Sequence, residues 1–148
     1  MKPNIWKAFA GGFIGTVMLT LMERFVAPMM GVRMDIVGKL GEMTHTGMAG
    51  GLFMHFLNGA VIFPLIYVYL LYRWLPGVPW QKGVLWGVIL WLGVETVMMP
   101  MLGAGIFSMK AGGMKAVMAA LIGHLVYGAI LGAITGAPAP ANAVKAAA

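Results

Sequence analysis

Apolar residues run along this chain in four long blocks, at roughly 6–30, 49–72, 82–103 and 115–136. Short stretches between them hold most of the charge. A run of about 20 apolar residues is long enough to cross the hydrocarbon core of a bilayer as a helix, so the pattern predicts four membrane-spanning helices. The first connection, 32–48, spaces Met34, Val37, Leu40 and Met43 three residues apart among charged positions. That near-helical spacing predicts a short amphipathic helix at the membrane surface, interrupted by Gly38 and Gly41. The second connection, Leu75–Gln81, is a tight Pro/Gly turn. Tyr72, Trp74, Trp80 and Trp86 lie close to it, as in an interfacial aromatic belt. A third connection, 104–114, is Gly-rich. The tail 137–148 (APAPANAVKAAA) is low-complexity and is expected to be disordered or to lie on the surface.

The blocks repeat. Gly11, Gly15, Glu23, Pro28, Gly31, His55 and Gly59 recur as Gly83, Gly87, Glu95, Pro100, Gly103, His124 and Gly128. The spacing is identical from the first glycine to Gly31 and Gly103. Two helices per copy send both copies into the membrane from the same side, and such copies are related by an axis along the membrane normal. The expected fold is all-α: a single transmembrane domain over 1–136. It is a four-helix bundle of two tandem two-helix repeats, about 6–72 and 80–136, with pseudo-twofold symmetry.

Composition agrees with a bilayer protein. The chain is 61% hydrophobic and 9% charged, and its mean hydropathy is +0.89. No soluble domain of 148 residues could bury that much apolar surface. The first block is too long for a cleaved signal peptide and lacks a small-residue cleavage site, so with Lys2 and Lys7 ahead of it, it reads as a retained anchor. There are no cysteines, which excludes disulfides, thiolate metal sites and cysteine nucleophiles. The net charge of +6 is dispersed over loops and ends. It reads as membrane-surface charge, and no nucleic-acid partner is expected. Lys2, Lys7, Arg73, Lys82 and Lys145 fall on one side, and Arg24, Arg33, Lys39, Lys110 and Lys115 on the other. The positive-inside rule therefore separates the sides poorly; both termini are placed in the cytoplasm.

The spans contain few strongly polar residues: Glu23, Glu95, His55, His124 and Asn58. At about 1.5 Å per residue, the two glutamates and two histidines all lie about 12 Å below one surface. Charged groups at that depth should face the bundle interior and be paired. Three readings compete. In the first, each Glu hydrogen-bonds a His on a neighbouring helix as a structural clamp. In the second, His55 and His124 are the axial ligands of a haem b, with Gly59 and Gly128 leaving room for the macrocycle and the glutamates holding the imidazole N–H groups. In the third, His55, His124, Glu23 and Glu95 hold a metal ion or form a proton path. Zinc suits four such ligands, and the 15 methionines bring copper into question. Pro28 and Pro100 read as helix ends near the interface, and His45 and Thr44 as surface residues.

Gly11/Gly15, Gly83/Gly87 and Gly128/Gly132/Gly136 form small-residue stripes suited to close helix packing, within the bundle or on another subunit. No nucleophile–base pair, phosphate loop or protease motif occurs, so no enzyme is expected.

The segments MTHTGMAGGLFMHFLNG and LIGHLVYGAILGAITG, with Met34–Asp35–Ile36–Val37 after the first helix and MMPMLGAGIF after the third, resemble an uncharacterised family of small bacterial four-helix integral membrane proteins. The resemblance covers most of 8–136. It implies the four-helix fold and a bacterial inner-membrane location, and no activity. His55 and His124 are more typical of that pattern than Glu23 and Glu95, which gives the histidines weight. The expected role is an accessory or assembly subunit of a larger, for example respiratory, membrane complex. Its partners would be lipid and other membrane subunits, or further copies of itself through the Gly-rich faces. The alternatives are a bis-histidine haem b protein and a metal-ion (copper or zinc) or proton pathway.

Overall fold

In the computed structural model, residues 3–33 and 35–136 are described, and the fold over them is helical with no strand. Met34, from the amphipathic stripe, and the tail 137–148 lie outside the described residues. Four helices are long and apolar enough to cross a membrane: α1 (Ile5–Met29), α3 (Gly47–Leu71), α4 (Pro79–Met101) and α5 (Gly113–Thr135). The short helix α2 (Ile36–Met43) lies between the first two. Helix α4 starts before the expected 82 because Pro79 suits the first helical turn and the Gln81 side chain accepts from the Val78 N–H at 3.0 Å. Outward-facing Phe13, Phe53, Leu70 and Val97 are all exposed, as lipid contact requires.

The amphipathic stripe does form a helix, and its glycines do not interrupt it. Asp35 Oδ1 caps it by accepting from the Gly38 N–H at 2.8 Å. Gly41 lies against the backbone of Gly47, and Gly51 against the Val37 carbonyl, so α2 rests on the first turns of α3. Leu40 is 2% exposed.

Three spans contain an internal proline, and each proline comes after a widened π turn. Met22–Val26 precedes Pro28, Asn58–Ile62 precedes Pro64, and Val94–Met98 precedes Pro100. A proline ring has no N–H and collides with the carbonyl four residues back, and a wider turn relieves both problems. Pro28 and Pro100 shape these turns and also stand one residue before the helix ends, Met29 and Met101, as expected. Helix α5 has no proline and is α-helical from Gly113 to Thr135. After their prolines, α1 and α4 stop in the same way. Gly31 and Gly103 take φ of 75° and 76°. The N–H groups of Val32 and Ala104 then reach back to the Ala27 and Met99 carbonyls at 3.0 and 2.9 Å.

Glycine sets how the spans pack. Gly83 of α4 lies against the backbone of Gly128 and Gly132 of α5, and Gly87 against the His124 carbonyl. Gly11 and Gly15 of α1 meet Leu131 and Tyr127 of α5, and Gly12 meets Gly59 of α3. The stripes are thus used inside this bundle. Of the two expected uses, packing within the bundle is the one these contacts show: a Cβ at Gly12, Gly83, Gly87, Gly128 or Gly132 would strike a neighbouring helix. Helices α3 and α4 meet instead through aromatic rings, with Phe63 and Tyr67 each 6.4 Å from Trp86. Trp86 and Tyr72 are 4% and 6% exposed, so they are core residues, while Trp74 and Trp80 remain at the surface as an aromatic belt would. Lys82 caps this end, donating to the Tyr72 carbonyl at 2.8 Å.

Replacing Gly83 by Val should drive the α4–α5 backbones apart and cost about 1–3 kcal/mol or more. Gly93→Ala is the control, because a Cβ at Gly93 meets nothing within 4 Å. It should be neutral or stabilising by up to ~1 kcal/mol. Thermal unfolding in mild detergent, followed by circular dichroism, separates the two.

Candidate functional site

The gap between α3 and α4 is filled by aromatic rings toward the 72–78 connection and holds a cavity toward α2. The cavity is about 90 Å³. By the usual allowance of about 15 Å³ per water, it has room for roughly six waters. Glu23, Glu95, His55 and His124 all line it, together with Asn58, Gly59 and Tyr127. Four ionisable residues, one from each span, thus border one space. Most of the remaining wall is apolar.

The expected Glu–His clamp is absent from it. Glu23 accepts from the Ile36 N–H, the first residue of α2, at 2.6 Å. Glu95 accepts at Oε2 from the Ser108 hydroxyl at 2.7 Å. Each carboxyl thus reaches a group thirteen residues further along the chain and ties a connection to the layer. The histidines turn to their own neighbours. His55 Nε2 meets the Thr20 hydroxyl at 3.1 Å. His124 Nδ1 lies 2.8 Å from the Ala120 carbonyl. A carbonyl only accepts, so Nδ1 carries the hydrogen and neutral His124 presents a lone pair at Nε2. The Thr20 hydroxyl also donates to the Thr16 carbonyl at 2.8 Å, so the threonine couples His55 to the backbone of α1.

Several polar atoms here have no partner among the described residues. Glu95 is fully buried and its Oε1 is unpaired. Glu23 Oε2, His124 Nε2 and the Asn58 carboxamide also lack hydrogen bonds. Asn58 was noticed in the sequence only as a polar residue; its place opening the second π turn gives it this position. Tyr127, its counterpart in the repeat, was missed. It donates to the Gly59 carbonyl at 2.6 Å and forms part of the cavity floor.

The two glycines beside the histidines do not clear space for a flat ring. Gly59 borders the cavity, but its open side faces the Thr16 hydroxyl, and Gly128 faces Gly83. Among the described residues no group of three or more His, Cys, Asp or Glu is placed to hold a metal ion. His45 is exposed, as expected of a surface residue.

The turn that carries Ser108 is strained. Phe107 and Ser108 are consecutive non-glycine residues at φ of 50° and 51°. The Phe107 ring packs 6.0 Å from Trp91, and the Ser108–Glu95 bond holds the next residue.

The model of the family described as Family of unknown function (DUF6789) matches residues 3–145. No curated protein and no solved structure matches the chain.

Ser108→Ala should leave Glu95 without any hydrogen bond and cost about 1–3 kcal/mol. Hydrogen exchange should rise locally over 104–112. Ser108→Gly loses the same bond but relieves the left-handed backbone, so its cost should be smaller by roughly 1 kcal/mol. Equal losses in thermal unfolding would count against the strain argument.

Proposed function

The chain belongs to this family of unknown function, and from that premise we propose a non-catalytic integral membrane protein that holds a small guest in the Glu/His cavity. The carrying observation is the ring of polar groups without protein partners around one largely apolar space: Glu23 Oε2, Glu95 Oε1, Asn58 and His124 Nε2. Inside a bilayer an unsatisfied polar group is costly, and a guest that satisfies several of them is favoured. The layer of Phe63, Tyr67, Trp86 and Tyr127 toward the 72–78 connection supports a site reached from one side over a path across the membrane.

The architecture we propose is two tandem two-helix repeats about a pseudo-twofold axis along the membrane normal. Matched π turns, matched glycine ends and matched Glu contacts support it. The setting is an accessory subunit of a larger complex in a bacterial inner membrane, with both termini cytoplasmic. The described residues lie almost wholly in or against the four spans, so lipid and other membrane subunits are the surfaces available. A second reading, bis-histidine haem b, is favoured by His55 and His124 sharing one cavity. It requires His55 Nε2 to leave Thr20.

Organic extraction of protein purified in mild detergent, followed by mass spectrometry, tests the binding reading. Wild type should retain a small molecule that Val94→Trp, which fills the cavity, does not. Equal extracts from the two would sink it. A visible spectrum with a Soret band lost in either histidine variant would move the reading to haem. His124→Ala and His55→Ala should each lower guest occupancy by about tenfold, because each ring keeps one nitrogen without a protein partner, His124 Nε2 and His55 Nδ1.

A further inference from the structure

The charge of the cavity wall says more about the guest than its size does. Two carboxyl groups line the space, and among the described residues no lysine or arginine does. Both carboxyls are held by uncharged donors, the Ile36 N–H and the Ser108 hydroxyl. Four of the five unpartnered groups, Glu23 Oε2, Glu95 Oε1, His124 Nε2 and His55 Nδ1, offer lone pairs. Only the Asn58 carboxamide adds N–H donors. A carboxylate inside a membrane needs an opposite charge beside it. An anionic guest would be repelled by this wall, and a neutral one would leave the carboxyls to be neutralised by protons alone.

Resting on the cavity being a binding site, we infer that its guest is a lipid-soluble ammonium: a primary or secondary amine in cationic form on a compact apolar body. The N–H donors of the ammonium match the unused lone pairs, and its charge matches Glu23 and Glu95. Met22 and Met98 give the apolar body a flexible, polarisable wall, and Phe63 and Tyr127 present aromatic rings. Room for roughly six waters, at about 30 Å³ each, corresponds to roughly 180 Å³ of liquid, the scale of a single-ring amine. Val26 and Ile122, which line the cavity, are 41% and 40% exposed.

Three probes of one shape test this: benzylammonium, benzyl alcohol and benzoate. Each is titrated calorimetrically into the full chain in detergent, and Val94→Trp supplies the blank for micelle partitioning. Benzylammonium should bind at least about tenfold more tightly than benzyl alcohol, with benzoate weakest. Glu95→Gln should weaken benzylammonium by about tenfold and leave benzyl alcohol within about twofold. Glu23→Gln gives the same reading where Glu95→Gln disturbs the turn at Ser108. Equal affinity for ammonium and alcohol, or equal effects of the Gln variants on both, overturns the cation assignment and leaves the binding site standing. If none of the three binds above the Val94→Trp blank, the binding reading falls with it.

Discussion

The backbone contact between α4 and α5 is the constraint on which the rest of the bundle depends. Lipid supplies no hydrophobic force between helices, so adhesion comes from van der Waals contact at close range. Gly83 against Gly128 and Gly132 provides that contact and fixes the position of α5. Helix α1 then seats on α5 through Gly11 and Gly15, and α3 on α1 through Gly12 and Gly59. These contacts form a row whose two ends are α3 and α4. No glycine pair joins the ends. Rings of Phe63, Tyr67 and Trp86 span the gap at one end, and the cavity remains at the other. The cavity is thus a consequence of where the glycines are.

Proline decides which side chains reach that space. Three prolines produce three π turns, and these turns carry Glu23, Asn58 and Glu95. A widened turn rotates the next stretch of helix about its axis and loosens the local backbone ladder, which is why such turns collect at functional sites. The carboxyls then draw the connections inward. Glu23 fixes the start of α2, and Glu95 fixes Ser108 in a turn whose left-handed residues cost of order 1–3 kcal/mol each. Such strain persists only where the surroundings hold it, here through one buried hydrogen bond and the Phe107–Trp91 packing.

Much of this was legible in the sequence, because a bilayer imposes a length and a polarity on every span. The four spans appeared within about three residues of their bounds, and helical rise along the repeat set Glu23, Glu95, His55 and His124 at one depth. The partners were not legible. Depth says which residues share a layer but not their angle around a helix, and the π turns change that angle. The glutamates therefore met Ile36 N and Ser108 in place of the histidines. Trp86 and Tyr72 misled for a related reason. Aromatic residues near a connection suit an interface, but the wide α3–α4 gap needed large rings to fill it. The glycines of α2 were read as breaks, whereas Gly41 allows the close approach to α3 and Gly38 faces the Asp35 cap.

The two histidines show how far a repeat in letters is from a repeat in chemistry. His55 and His124 occupy matching positions and border the same cavity. Among the differences around them, Thr20 lies beside His55, and the residue at the matching position of the second sequence copy is Leu92. Thr20 engages His55 at Nε2. His124 uses Nδ1 on the carbonyl one turn back in its own helix, which leaves Nε2 bare. Thr20 donates its hydrogen to the Thr16 carbonyl, so His55 Nε2 donates and Nδ1 keeps the lone pair. One ring is therefore tied across a helix pair and the other within its helix, and each keeps one basic nitrogen unused. In a low-dielectric interior such an unpaired acceptor gains far more from a donor than a paired one does. The two histidines are accordingly anchored differently and offer their bare nitrogen from opposite ring positions.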